Sequence, residues 1–176
     1  MAAAWRRAAA VAAVAAVLLS AACGYRVVGF GGQLPGGITR VEVPIFENRT
    51  TRSDISRKLT EDFINRLVSS GKVTVVGAAA EAQGVIRGVV AVYRREPITF
   101  DASQKPLANR LTVVMDVELV ANATGRALFA EKGVVARHDY AIGDDLEEND
   151  RREDEALARI SELMSQKLIG LMLEGF

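Results

Sequence analysis

The chain has 176 residues, 49% of them hydrophobic, with 22 lysines and arginines balanced by 22 aspartates and glutamates. That balance leaves no strongly basic footprint, so nucleic acid is not an indicated partner. One cysteine excludes an intrachain disulfide, and one histidine excludes a metal centre built on several histidines.

Residues 1–22 read as a secretory signal. Arg6 and Arg7 give a positive start, Ala8 to Leu19 is an uncharged apolar run, and Ser20, Ala21 and Ala22 are small. The run is shorter than the roughly 20 residues that span a bilayer. Ser20-Ala21-Ala22-Cys23 resembles the lipobox of bacterial lipoproteins, departing from it at Ser20, where a leucine or similar residue is usual. The resemblance implies cleavage before Cys23, with fatty acyl groups such as palmitate on that residue. Several chains hold a protein to a membrane where one does not. A free cysteine beside an ordinary cleavage site is the alternative. Gly24 in place of aspartate favours, by resemblance to the enteric sorting rule, the outer membrane. Removal of residues 1–22 takes away two arginines and leaves 154 residues with a net charge of −2. That length suits one domain with a core of its own.

Tyr25 to Val28 reads as a short strand, followed by a glycine-rich loop to residue 37. In "ITRVEVPI", Val41, Val43 and Ile45 alternate as in a half-buried strand. Thr51 and Asp54 have capping-box spacing. Beyond them Ile55, Leu59, Phe63 and Leu67 mark an amphipathic helix to about Ser70, stopped by Gly71. "KVTVV" is a short strand. "GVIRGVVAVYRR" is a longer one, with Ile86, Val90 and Val92 on one face and Arg87, Val89 and Tyr93 on the other.

"EPITFDASQKPLAN" reads as a long loop. "RLTVVMDVELVAN" alternates most clearly, with Leu111, Val113, Met115, Val117 and Leu119 facing one way. A turn at "NATGR" leads into "ALFAEKGVVAR", forming a hairpin. The last helix is expected from Asp150 to Leu173, with Asp150 and Glu153 as a second capping box. The expected fold is α+β: a two-layer sandwich, with two helices on one face of a largely antiparallel sheet of four or more strands.

Nothing selects a catalytic set. His138 reads as a surface residue at a strand end, and "DDLEEND" lacks the alternating ligands and central glycine of an EF-hand loop. No catalytic residue, metal site or cofactor is expected. The polar side of the sheet is more informative. Arg87, Arg94, Arg95, Arg110, Lys132 and Arg137 lie on three successive strands, where arginine forks suit phosphate oxygens. A solubilising face paired with Asp116, Glu118 and Glu131 is the competing reading.

Several stretches together resemble the LptE family of outer-membrane lipopolysaccharide-assembly lipoproteins. They are "CGYRVVG", "LPGGITRVEVPIFENRTTR" with its Phe-x-Asn-x-Thr segment, "AEAQGVIRGVV", "ATGRALFAEKGVVARHDYAIGDD" and "DEALARISELMSQKLIGLMLEGF". The resemblance implies a non-enzymatic lipoprotein anchored in the outer membrane and facing the periplasm and a barrel lumen. It implies a role as plug and assembly partner of an LptD-type β-barrel, binding lipopolysaccharide on its way to the outer leaflet. Arg87, Arg94, Arg110, Lys132 and Arg137 are the candidate lipopolysaccharide contacts. A periplasmic scaffold or secretion-accessory lipoprotein without lipopolysaccharide binding is the alternative. The expected division is signal 1–22, lipidated segment with strand and loop 23–37, and one α+β domain 38–176.

Overall fold

The fold comes from a computed structural model and is described for residues 32–173. The signal, Cys23 and the strand expected at Tyr25–Val28 lie outside those residues. The expected α+β sandwich is present. The chain runs β1 (Arg40–Glu42), β2 (Glu47–Asn48), α1 (Ile55–Ser69), β3 (Thr74–Val75), β4 (Gly84–Phe100), β5 (Pro106–Ala121), β6 (Ala127–Ala141) and α2 (Leu146–Leu173). The sheet order is β3-β1-β4-β5-β6, with β2 also paired to β4. The three long strands are antiparallel. The short strands β1 and β2 join β4 in parallel, and β3 joins β1 in parallel. Among the described residues no strand flanks the outer edge of β4 beyond Val90, and the upper sheet is formed by β4, β5 and β6.

The core forms where the apolar faces of both helices meet one face of the sheet. Ile55, Leu59, Phe63 and Leu67 of α1 are buried, at the spacing that marks the helix in the sequence. Leu157, Ile160, Met164 and Leu168 of α2 join them over Ile86, Val90, Leu111, Val113, Met115 and Leu119. Gly71, at φ +65°, follows the end of α1 in the left-handed conformation that glycine adopts without a Cβ penalty.

Five expectations are corrected. Strand β1 ends at Glu42, and the chain after Pro44 turns Phe46 inward while Ile45 stays 68% exposed. Neither capping box forms as expected. Asp54 makes no side-chain cap, because Arg52 takes its carboxylate at 2.6 Å. Helix α2 starts a turn early, where Asp145 accepts from the backbone N–H groups of Glu147 (3.0 Å) and Glu148 (3.2 Å). The long loop shrinks to residues 101–105, tied by Asp101 to the N–H groups of Ser103 and Lys105. Both flanking prolines are accommodated, Pro97 on an unpaired edge beside a register shift and Pro106 at the start of β5.

The fifth correction is the most consequential. A bulge between Val90 and Val92 changes the pleat phase of β4. Ile86 and Val90 face the helices below it, and Tyr93 and Arg95 face them above it. A strict period of two places Tyr93 with Arg87, and the extra residue overturns that.

The rephasing delivers Tyr93 and Arg95 to Glu153 of α2, a carboxylate with 7% side-chain exposure. Tyr93 donates its hydroxyl proton to Glu153 at 2.5 Å, Tyr140 donates at 3.1 Å, and Arg95 forms an ion pair. Arg52 stands 3.7 Å from Glu153 and bridges to Asp54 and Asp154, both at 2.6 Å. Burial pushes the Glu153 carboxyl up, but the donors Tyr93, Arg95 and Tyr140 outweigh it and hold the carboxyl below the usual range. Burial and the same carboxylate push the Tyr93 phenol up.

Two predictions concern stability. A Cβ at Gly88 would stand 2.7 Å from the Phe46 ring, which packs against Phe63 at 5.5 Å between centroids. Gly88→Ala is therefore expected to cost about 1–3 kcal/mol by overpacking, read from urea unfolding. Glu153 contributes stability that is present above its unfolded pKa of about 4.3 and lost as pH falls through its lower folded value. The fall in Tm between pH 6 and pH 3 should be smaller in Glu153→Gln than in the native chain. Equal falls would remove Glu153 from the acid sensitivity.

Candidate functional site

The site is built on the sheet face opposite α1 and α2, which no helix among the described residues covers. Side chains alternate across the sheet, so the register defines rows on this face. One row reads Arg87–Glu118–Ala130. Above it, Val92–Val114–Val135 is apolar and half-buried, followed by Arg94–Thr112–Arg137 and then Glu96–Arg110–Asp139. Four of the five candidate contacts stand in these rows, and Lys132 sits at the bulge of β6 beside them.

The five differ in how free they are. Arg110 gives its fork to both oxygens of Asp139, at 2.7 and 2.8 Å. That pairing raises the guanidinium pKa and holds the Asp139 carboxyl low. Arg87 stands 3.6 Å from Glu118, and Arg94 stands 3.1 Å from Glu96. Among the described residues Lys132 and Arg137 make no ion pair. Arg95 leaves the set, because the bulge sends it to the helix side and Glu153. Both sequence readings hold in part: acidic neighbours neutralise some of the face, and two cations remain uncommitted.

Near its lower end the face hollows into a groove of about 510 Å³. Pro44, Ile45 and Arg49 wall one side, with Arg87 and Asp116 on the floor and Lys132 opposite. Gly133 follows Lys132 at the edge of this groove. It adopts φ +68° at the β6 bulge, and its N–H donates to Asp116 at 2.8 Å. Arg49 is tied to Glu47 at 2.7 Å, so Lys132 is the uncommitted cation of the groove.

A second groove, of about 550 Å³, lies between β6 and α2 and contains half-buried His138 with Tyr140, Arg152 and Glu155. Among the described residues no three His, Cys, Asp or Glu side chains converge to hold a metal ion. The acidic stretch at the start of α2 is engaged in helix contacts. Arg151 and Arg152 bond Glu148 and hold its carboxyl at about 2. Among the described residues no helix is long and apolar enough to cross a membrane.

Sequence reasoning missed two residues. Thr112 lies on the uncovered face yet is 3% exposed, and among the described residues its hydroxyl has no partner. Its place between two arginine-bearing strands was visible, but its burial was not. Arg52 was hidden in a polar turn. Asn48 builds that turn by accepting from Thr50 and donating to the Arg52 carbonyl at 2.8 Å.

The model of the lipopolysaccharide-assembly family LptE matches residues 38–170, most of the chain. The chain belongs to the LptE family. LptE is thus matched over all the elements from β1 into α2. No curated protein matches by sequence. The fold is similar to lipoprotein B from Nitrosomonas europaea, with TM-score 0.59 and 16% identity over 85% of this chain and 90% of that one. It is similar to rare lipoprotein B from Shewanella oneidensis, with TM-score 0.57 and 16% identity over 76% and 93%. It is also similar to PelC, a dodecamer from Paraburkholderia phytofirmans, with TM-score 0.52 and 14% identity over 81% and 94%. At these identities the likenesses speak for the fold.

The Arg110–Asp139 pair gives a direct test of how the face is neutralised. Arg110→Gln should raise the Asp139 titration midpoint toward the ordinary value of about 3.9, read by carboxyl NMR. An unmoved midpoint would show that the pair does not persist in solution.

Proposed function

We propose that this LptE-family protein is an outer-membrane lipoprotein that plugs and helps assemble an LptD-type β-barrel and binds lipopolysaccharide during transport to the outer leaflet. The observation that carries the reading is the family match over residues 38–170. Acyl chains on Cys23 hold the protein to the inner surface of the outer membrane. Residues 23–37 lead from that anchor into a single domain, 38–176. No catalytic step is assigned to it.

The uncovered sheet face supports the ligand half of the reading. Lipopolysaccharide carries phosphates on a sugar–lipid headgroup. A face with free Lys132 and Arg137, and with Arg87 and Arg94 in loose exposed pairs, offers donors that can exchange a carboxylate for a phosphate. Arg110, held on both oxygens of Asp139, is the least available of the five. Lipopolysaccharide affinity should fall with added salt, because exposed charges are screened over about 8–10 Å at physiological ionic strength.

The partner half is tested by capture. The full-length lipoprotein, solubilised from envelopes in mild detergent, is expected to retain a β-barrel protein identifiable by mass spectrometry. Retention of a secretion channel instead would favour the accessory reading, and retention of no barrel would sink the plug. Metabolic labelling with a fatty acid should mark the native protein and not Cys23→Ala. Charge reversal at Arg137 and Lys132 should weaken lipopolysaccharide binding about tenfold or more, and reversal at Arg110 should weaken it less. Unchanged binding in the double variant would place the ligand elsewhere.

A further inference from the structure

We infer that Arg94, Thr112 and Arg137 form a subsite for a tetrahedral oxyanion of the phosphate-monoester class. The subsite deepens the lipopolysaccharide reading, on which the identity of the phosphate's carrier rests. It starts from an anomaly. Leu111 and Val113 point into the core and are fully buried, so Thr112 between them points to the uncovered face. A small side chain on such a face is ordinarily wet. Thr112 is nevertheless 3% exposed, and among the described residues its hydroxyl has no hydrogen-bond partner.

The neighbours account for the burial. Arg94 on β4 and Arg137 on β6 are its direct partners in the register, and Val114 and Arg110 lie two residues away along β5. With strands about 4.8 Å apart, the two arginine backbones stand roughly 10 Å apart, with the threonine midway. Their long side chains are the groups able to cover it from either side. No acid stands in that row. Glu96, which pairs Arg94, and Asp139, which is held by Arg110, belong to the next row. On the other side lies the row Val92, Val114 and Val135, which keeps water from approaching along the sheet.

Two guanidinium groups thus flank an unused hydroxyl beside an apolar border. A buried hydroxyl without a partner is costly, and such groups in native structures point to a missing contact. An oxyanion supplies it. The arginines tilt outward to take two oxygens each in fork geometry, and the uncovered Thr112 hydroxyl donates to a third contact on the same anion. A carboxylate offers only two coplanar oxygens, whereas a phosphate monoester offers three terminal oxygens spread toward three donors. Arg137, which makes no ion pair among the described residues, is the anchor. Arg94 joins by exchanging its exposed contact with Glu96.

The test uses the full-length lipoprotein in non-ionic detergent with its threonine methyl groups labelled for NMR. It is titrated with inorganic phosphate, with lipid A, and with lipid A stripped of phosphate. The Thr112 methyl signal is expected to shift saturably with the first two and not with the third. Thr112→Val keeps the shape and removes the hydroxyl. It should lower affinity for the phosphorylated ligand about tenfold with Tm unchanged or raised. Arg137→Gln should lower affinity at least as much. A response to lipid A but not to free phosphate assigns the anion to the lipid headgroup. A response to phosphate without any binding of lipopolysaccharide keeps the subsite and removes the lipopolysaccharide reading. Lipopolysaccharide bound equally by the native chain and Thr112→Val keeps that reading and overturns the subsite. So does a Thr112 methyl that responds to neither phosphorylated probe.

Discussion

The carboxylate of Glu153 is the point at which the parts of this fold are fastened to each other. A buried carboxylate is costly unless charges and donors surround it. Here the hydrogen-bond donors are Tyr93 and Arg95 of β4 and Tyr140 of β6, and Arg52 from the turn before α1 adds its charge at 3.7 Å. Together the contacts fix α2 against β4, β6 and the turn before α1, so α2 has one axial position and one rotation that satisfy all of them. Apolar packing alone is more permissive, because Leu and Met side chains repack with little loss. The carboxylate therefore selects one arrangement of the two layers, while the core supplies most of the driving force.

That arrangement presupposes the bulge in β4. Without the bulge, Tyr93 and Arg95 would point away from α2, and Val92 and Arg94 would stand on the helix side in their place. The same shift decides the chemistry of the opposite face, since it moves Arg94 into register with Thr112 and Arg137. One irregularity thus couples the clamp on the helix side to the basic row on the open side. The turn built by Asn48 and Thr50 plays a matching role at the other edge, bringing Arg52 to the clamp. The Phe-x-Asn-x-Thr segment is in this light a structural device. Phe46 packs on Gly88 and Phe63, Asn48 shapes the turn, and Arg52 completes the charge cluster.

Period and punctuation made the architecture legible in the sequence. The i, i+4 repeats of α1 and α2 and the alternation from Leu111 to Leu119 each have one physical reading. What escaped were features in which one residue changes phase. The bulge near Ala91 leaves no mark in composition, and Pro44 exchanges Ile45 for Phe46 as the inward residue. The capping boxes failed for a related reason. Asp54 and Glu153 have the right spacing, but arginines distant in sequence or in the preceding turn compete for them. Of the candidate contacts, chain position sufficed to place Arg87, Arg94, Arg110 and Arg137 on adjacent strands. It could not show which were already neutralised, because Glu118, Glu96 and Asp139 become partners through cross-strand register and local pleat.

The face that results is charged in graded fashion rather than uniformly. A sheet bearing only free cations would repel itself and bind any polyanion, while a fully paired one would bind none. Here Arg110 is locked, Arg87 and Arg94 are loosely paired, and Lys132 and Arg137 make no ion pair among the described residues. An anion bound as proposed would meet the unpaired groups first and gain the loosely paired ones by displacing carboxylates that remain nearby and well hydrated. The released carboxylates then stand ready to recover their arginines, so the ligand is held by a difference between pairings and not by their sum. Under the proposed lipopolysaccharide role, such reversible exchange would keep binding specific without making release slow.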